Sequence, residues 1–593
     1  MLTKRFLCMT AASLIMAGAA QAQVPSKTWN PNLPGGKYRN PIIDADYSDP
    51  DVCRVGNDYY MTSSSFANFP GLQILHSTDL VNWELIGAAV LGEEYPVLPE
   101  YQGTDLDWRK KIQLGNYVWA PSIRYHDGWF YIYCGDPDQG LFMTKTQDPR
   151  GPWEPITWVM KGKGLIDCCP LWDDDGKAYL SHGCAGSRAG VKSVLFVAPL
   201  SPDGTKVIGP SRIVYDGHED QPTIEGTKFY KRNGYYYIMS PAGGVKYGWQ
   251  VELRSKSPYG PYEEYVGLAQ GKSKVNGPHQ GAWIDTQNGE DWFIHFQDKH
   301  AYGRVVHLQP AQWKNDWLVI GDDRDGDGCG DAVATWKKPN LPASPVMAPL
   351  EDDDFNSPQL GLQWQFEGPY SHYWYFCDAN KSRLRLYGVT APDGYKNLSD
   401  LQNAVLQKFP TENFTATAKV KFIPNPGFSP KGEEGGFIIK GSDYAGIKFV
   451  SVPDKDNKAS GGTACVMRYV VCNKAFGGKQ EQTIQEIPLP LIEQAKPYTQ
   501  KYAVDDIPMP RFATQDVYVR VAVHSSGTGN DIKAHAQFSY SLDGKKYQKL
   551  GSEFEVKEGK WIGAKLGFYC MKPSEKNDAP FFDIDWIHFD KLK

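Results

Sequence analysis

The stretch DPDVCRVGNDYYM, beginning at Asp49, places a short apolar strand after a polar residue, then a tight turn, then an aromatic strand. The same order returns four more times: WAPSIRYHDGWFYIY from Trp119, DCCPLWDDDGKAYL from Asp167, EGTKFYKRNGYYYI from Glu225 and HQGAWIDTQNGEDWFIHF from His279. The turns at Asn57, Asp127-Gly128, Asp175-Gly176, Asn233-Gly234 and Asn288-Gly289 carry the residues that two-residue hairpins with positive φ prefer, so each marks a hairpin tip. Outer-strand echoes follow in three units, HSTDLVNW from His76, KTQDPRGPW from Lys145 and SKSPYGPY from Ser255. Units of roughly 50 to 70 residues with about four short strands each have the form of propeller blades, and five of them predict a five-bladed β-propeller.

Composition agrees with an all-β chain. Aromatic residues are 13% of the 593, charged residues only 22%, and Gly and Pro number 59 and 42, which suits a turn-rich fold and excludes disorder, coiled coil and collagen. The formal charge of -6 leaves no basic surface for a polyanion, so nucleic acid is not an expected partner. The first 22 residues, MLTKRFLCMTAASLIMAGAAQA, have the basic start, apolar run and small-residue end of a secretory signal peptide. No later run is long and apolar enough for a membrane span, so a secreted or periplasmic protein is expected. Of the 11 cysteines, Cys168 and Cys169 are adjacent and Cys465 and Cys472 lie close together. Disulfides and buried free thiols both stay open.

The boundaries expected are a signal peptide at 1–22, a propeller at 23–335, a stiff linker at 336–350 carrying Pro339, Pro342, Pro345 and Pro349, and a second domain at 351–593. That second domain opens with DDDFNSPQLGLQWQF from Asp352, and FTATAKVKF from Phe414 and DVYVRVAV from Asp516 alternate with period two. This pattern predicts a jelly-roll-like β-sandwich.

The start of each blade's innermost strand lies at the central channel, so Asp49, Trp119, Asp167, Glu225 and His279, taken as one phase of the repeat, converge on the axis. Burying three acids without partners costs several kcal/mol each, which makes their shared placement the mark of a site. Asp323, Asp325 and Asp327 alternate like a calcium loop, but Ala334 stands where an EF-hand needs a bidentate Glu, and a solvated turn is the favoured reading.

These residues resemble glycoside hydrolase family 43, whose fold is a five-bladed propeller. The resemblance rests on Ser48-Asp49-Pro50-Asp51, Ile166-Asp167-Cys168-Cys169-Pro170 and Thr223-Ile224-Glu225-Gly226. SSSFANFPG from Ser63, VWAPSIRY from Val118, NGPHQGAW from Asn276 and YGRVVHLQPAQW from Tyr302 extend it over about residues 38 to 320. Many relatives follow the middle Asp directly with Pro, where this chain has two cysteines first.

The resemblance implies an inverting, exo-acting hydrolase that releases α-L-arabinofuranosyl or β-D-xylosyl residues from plant cell-wall oligosaccharide or polysaccharide. In it Asp49 is the base, Glu225 the acid, and Asp167 the third carboxylate that raises the pKa of Glu225 and orients it. Arg304 would reach the acids and sugar hydroxyls, while Trp119, Phe66 and Phe69 would bind the apolar faces of a sugar ring. His279 would hold water or a Ca2+ ion near the channel, although no cofactor is required for the chemistry. Asp354 and Asp585 are candidates for a structural Ca2+ in the sandwich. An endo-arabinanase and a carbohydrate-binding propeller without catalysis are the competing readings.

Overall fold

The computed structural model describes residues 25–96, 113–425, 431–456, 460, 462–494, 512–574 and 578–592. The expected signal peptide lies outside the described residues.

Residues 51–320 form five antiparallel sheets, each built on four consecutive strands. The innermost strands are Asp51–Val55, Trp119–His126, Leu165–Trp172, Lys228–Arg232 and His279–Asp285. Each of the five sheets packs against the next, and the last meets the first, so they close into a ring. The N-terminal segment seals that closure: the Ile42 N–H donates to the Val306 carbonyl at 2.8 Å and the Tyr47 N–H to that of Arg304 at 3.0 Å. Hairpin tips behave as their residues dictate. Asp127 and Gly128 have φ 47° and 81°, Asn233 and Gly234 have 51° and 72°, the paired left-handed conformations that match strand twist.

The phase of the repeat differs from the sequence reading by one residue in three units. Just before each innermost strand settles into its ladder, one residue is left-handed: Asp49 at φ 54°, Ala120 at 35°, Asp167 at 60°, Gly226 at 66° and Gln280 at 39°. In the first four units pairing resumes two residues later, at Asp51, Ser122, Cys169 and Lys228. Asp49 and Asp167 therefore occupy the kinked position itself, whereas Trp119, Glu225 and His279 precede it. The period of two that governs strands hides such a bulge, because an extra residue re-aims the side chains before the alternation resumes.

After Thr335–Lys337, which pairs with Lys37–Arg39, residues 338–352 carry no strand. The remainder is a sandwich of an eight-stranded and a seven-stranded sheet, with Phe437, Phe538, Phe568 and Phe582 among the apolar side chains packed between them. The ten described cysteines are all free, and nine are buried. Cys465 and Cys472 stand at opposite ends of the strand Thr463–Cys472, about 23 Å apart at ~3.3 Å per residue, so they cannot bridge. No described helix is long and apolar enough to cross a membrane.

The sandwich docks against the propeller through matched polar groups. Phe69 and Phe366 exchange backbone hydrogen bonds of 3.0 and 2.7 Å, Thr411 donates to Asp44 at 2.7 Å, and Lys299 sits between Asp44 and Glu412. Asp46 ties the two domains at the channel mouth: one oxygen accepts the Arg304 N–H and the other the Gly563 N–H, each at 2.9 Å.

Candidate active site

A cavity of about 120 Å³ opens at the channel mouth, lined by Asp49, Phe66, Trp119, Asp167, Glu225, His279 and Arg304, with Val245, Gln280 and Trp561 on its wall. At ~30 Å³ per water it has the volume of about four waters, the scale of one sugar ring rather than of a chain.

Asp49 is the most heavily hydrogen-bonded of the three acids. Its Oδ2 accepts from the hydroxyls of Ser48 at 2.8 Å and Ser64 at 2.5 Å, and Arg304 Nη1 lies 3.4 Å from Oδ1. Arg304 also donates to Ser48 at 2.8 Å, and the Ala120 N–H donates to Ser64 at 2.6 Å, so both serines are themselves anchored. An ionised carboxylate is an acceptor only, and every group here is a donor.

Asp167 Oδ2 accepts the Gly226 N–H at 2.8 Å. Burial pushes its carboxyl up to about 7, against that hydrogen bond, with the charge of Asp49 adding to the rise. Gly226 makes this arrangement: it is left-handed, and a Cβ there would lie 2.8 Å from Pro241 and 2.9 Å from Gln280. Only glycine turns the backbone tightly enough to aim its N–H at Asp167 while its neighbour Glu225 faces the cavity.

Glu225 makes no side-chain hydrogen bond to another described residue. Burial first, then the charges of Asp167 and Asp49, push its carboxyl up to about 8. It therefore holds its proton at neutral pH, as a group that donates to a leaving oxygen must. Beneath the acids, the buried Lys228 donates to the Pro121 carbonyl at 2.6 Å and Ser122 Oγ at 3.1 Å, and Arg124 and the Ile123 N–H close on Asp51 at 2.7 Å each.

The aromatic wall differs from the expected one. Phe66 and Trp119 meet edge to face at 6.1 Å, and the third ring is Trp561, 6.2 Å from Trp119, reaching in from the sandwich. Phe69, expected here, is 0% exposed and packs against Tyr95 and Tyr117 at the domain seam, away from the cavity. Its place in SSSFANFPG suggested a ring wall; the backbone pairing with Phe366 holds it at the seam instead. Trp561 has φ 65°, a strained conformation for so bulky a residue, and is 44% exposed. Nothing in its local sequence distinguishes it.

His279 lies in the cavity with neither ring nitrogen hydrogen-bonded to a described residue. Burial, with the charge of Arg304, pushes its pKa down to about 3, so the ring is neutral and open to a water or a sugar hydroxyl. These donors do not fit a Ca2+ cage: an arginine stands beside a single imidazole, and His279 belongs to no group of three described ligand side chains. Asp354 and Asp585 are likewise separate, the first 2.7 Å from His588 and the second 2.7 Å from Lys419. The carboxylates of Asp323, Asp325 and Asp327 do come within 4.8 Å of one another, but Lys314 already lies 2.8 Å from Asp323.

Comparison with known proteins follows the same division of the chain. Residues 38–318 match the family described as Glycosyl hydrolases family 43, and residues 352–590 match the Beta xylosidase C-terminal Concanavalin A-like domain. A putative beta-xylosidase of Xylanibacter ruminicola is 36% identical over 92% of this chain and 88% of its own. The non-reducing end alpha-L-arabinofuranosidase BoGH43B of Bacteroides ovatus is 33% identical over 94% of this chain and 96% of its own. Among solved structures, the Bacteroides ovatus Xyloglucan PUL GH43B aligns with a TM-score of 0.73 at 25% identity, covering 94% of this chain and all of the other. The GH43 BlXynB protein of Bacillus licheniformis shares the fold, with a TM-score of 0.72 at 22% identity over 94% of this chain and 100% of its own.

Proposed function

The chain belongs to glycosyl hydrolases family 43 and is a glycoside hydrolase, and from that premise we propose that it removes single α-L-arabinofuranosyl or β-D-xylosyl residues from the ends of plant cell-wall oligosaccharides, with inversion, after export to the periplasm or the medium. One observation carries the reading: three carboxylates converge on one small cavity, and their surroundings divide them into an acceptor and a proton donor. Asp49, held by two hydroxyls and an arginine, takes the proton from water as it attacks the anomeric carbon. Glu225, kept protonated, gives its proton to the departing oxygen. Asp167 supplies the neighbouring charge that resists loss of the Glu225 proton before that moment. His279 and Arg304 offer hydrogen bonds to the sugar hydroxyls, and Phe66, Trp119 and Trp561 enclose its carbon faces.

The size of the cavity supports exo rather than endo action, since an endo-arabinanase needs a groove that admits chain on both sides. The test is hydrolysis of nitrophenyl α-L-arabinofuranoside and β-D-xyloside beside arabinan, xylan, arabinoxylan and xyloglucan, with the anomer of the released sugar followed by proton NMR in the first minutes. Monosaccharide of the anomer opposite to the bond cleaved is expected. Early release of the same anomer removes Asp49 as base, and no turnover of any substrate returns the chain to a carbohydrate-binding role.

A further inference from the structure

Beside the catalytic cavity lies a larger one of about 320 Å³, and Val245, Arg304 and Trp561 line both. Its walls come from two domains. Val245 and Lys246 follow the second strand of the blade that carries Glu225, Asp298 and His300 belong to the last blade, and residues 558–562 belong to the sandwich. A volume above ~300 Å³ is that of a ligand site rather than of a packing defect.

Charge distinguishes this cleft from the rest of an acidic chain. Lys246 and Lys560 are exposed on its wall, and neither forms an ion pair with a described residue. Their ammonium groups lie 5.4 and 4.5 Å over the rings of Tyr247 and Trp561, and those rings are 64% and 44% exposed. Two acids line the cleft as well. Asp298 is engaged by the His300 N–H at 2.9 Å and lies 3.6 Å from Arg304, whereas the Glu558 carboxylate is exposed and unpaired.

In an exo cleavage the leaving portion lies on the side of the general acid. We propose that this interdomain cleft receives the leaving portion of the substrate and that Lys246 and Lys560 select leaving portions bearing a uronic acid carboxylate. The proposal rests on the reading of Glu225 as the acid. A uronic acid is a ring with apolar faces and one carboxylate, so it meets both the exposed aromatic rings and the ammonium groups beside them. Glu558 opposes the same ligand and sets the selectivity lower than the two lysines alone would.

The experiment compares two oligosaccharides with the same terminal pentosyl unit, one carrying a glucuronic acid branch on the leaving side and the other its carboxyl-reduced counterpart. At about 50 mM salt the ratio of kcat/KM, acidic over neutral, is expected at about 5 to 10, falling toward unity at about 0.5 M as the Debye length shortens. Lys246→Gln with Lys560→Gln lowers the ratio at low salt to about 2 or less, and Glu558→Gln raises it by about twofold. A ratio at or below unity in the wild type, or one unmoved by the double substitution, overturns the proposal while leaving the pentosidase reading intact. Failure to cleave either oligosaccharide or an aryl pentoside overturns both.

Discussion

Buried charge is handled in opposite ways in the interior of the sandwich and in the propeller cavity. In the sandwich, Lys448 lies between Glu434 and Glu481 at 2.8 and 2.6 Å, and Asp583 receives Arg383 and Arg385 at 2.8 and 2.7 Å. Each of these three acids has a cation. In the propeller cavity three acids share Arg304, which of the three pairs directly with Asp49, and the Glu225 carboxyl makes no hydrogen bond to another described residue. Paired charges hold strands in register; charges left short of partners are held ready for a ligand, and only the second arrangement shifts a carboxyl into the range where it exchanges protons near neutral pH.

Substitutions separate these roles. Asp49→Asn should have the largest effect, a loss of about 10⁴-fold in kcat, because it removes the carboxylate that the Ser48 and Ser64 hydroxyls and Arg304 hold ready to take a proton from the attacking water. Its melting temperature should stay near that of the wild type; turnover within tenfold of wild type would remove the distinction drawn here. Glu225→Gln should lose about 10³-fold on sugar-sugar linkages but under about tenfold on a dinitrophenyl glycoside, which departs without protonation. Equal losses on both substrates would make Glu225 a positioning residue.

In the sandwich the expected loss is of stability instead. Glu434→Gln should cost about 3 kcal/mol in urea unfolding, since it strips one of two acids from a buried ammonium, while kcat of the folded enzyme holds. Trp561→Ala should raise KM by about tenfold with little change in stability, because the ring is nearly half exposed and touches the site rather than the sandwich core.

The pH dependence of stability is the most diagnostic of charge left short of partners. Folding raises the Glu225 carboxyl from 4.5 to about 8. The native state thus favours its protonated form, and the stability this represents is complete below about pH 4.5 and lost as pH rises through 8. Glu225→Gln never ionises. Its melting temperature should match the wild type near pH 4 and exceed it at pH 9. A gap that shrinks with rising pH would reverse the sign of the argument.

How much of this could be read from residue order depends on how local each signal is. The hairpin turns, the five units and the alternating strands of the second domain follow from spacing of a few residues, and the three acids stand out because they recur with the blades. The offset between Asp49 and Asp167 on one hand and Trp119, Glu225 and His279 on the other was hidden, since a left-handed residue at a strand entrance leaves no compositional mark when Asp, Ala, Gly and Gln all fill it. Phe69 was misplaced for a similar reason: an aromatic residue in a motif looks the same whether it faces a sugar or a domain seam.

Residue order by itself determined the propeller and the sandwich, the identity of the three carboxylates and the kind of chemistry they can do, because turn preference, alternation and side-chain acidity are properties of short segments. The tertiary structure alone decided which acid keeps its proton, since that depends on burial and on charges contributed by other blades. It also decided that Trp561 completes a cavity whose acids are some 340 to 510 positions earlier in the chain. That contact exists because Asp46 accepts one N–H from the Arg304 strand and another from the sandwich loop at Gly563, and no pattern confined to either segment records the meeting.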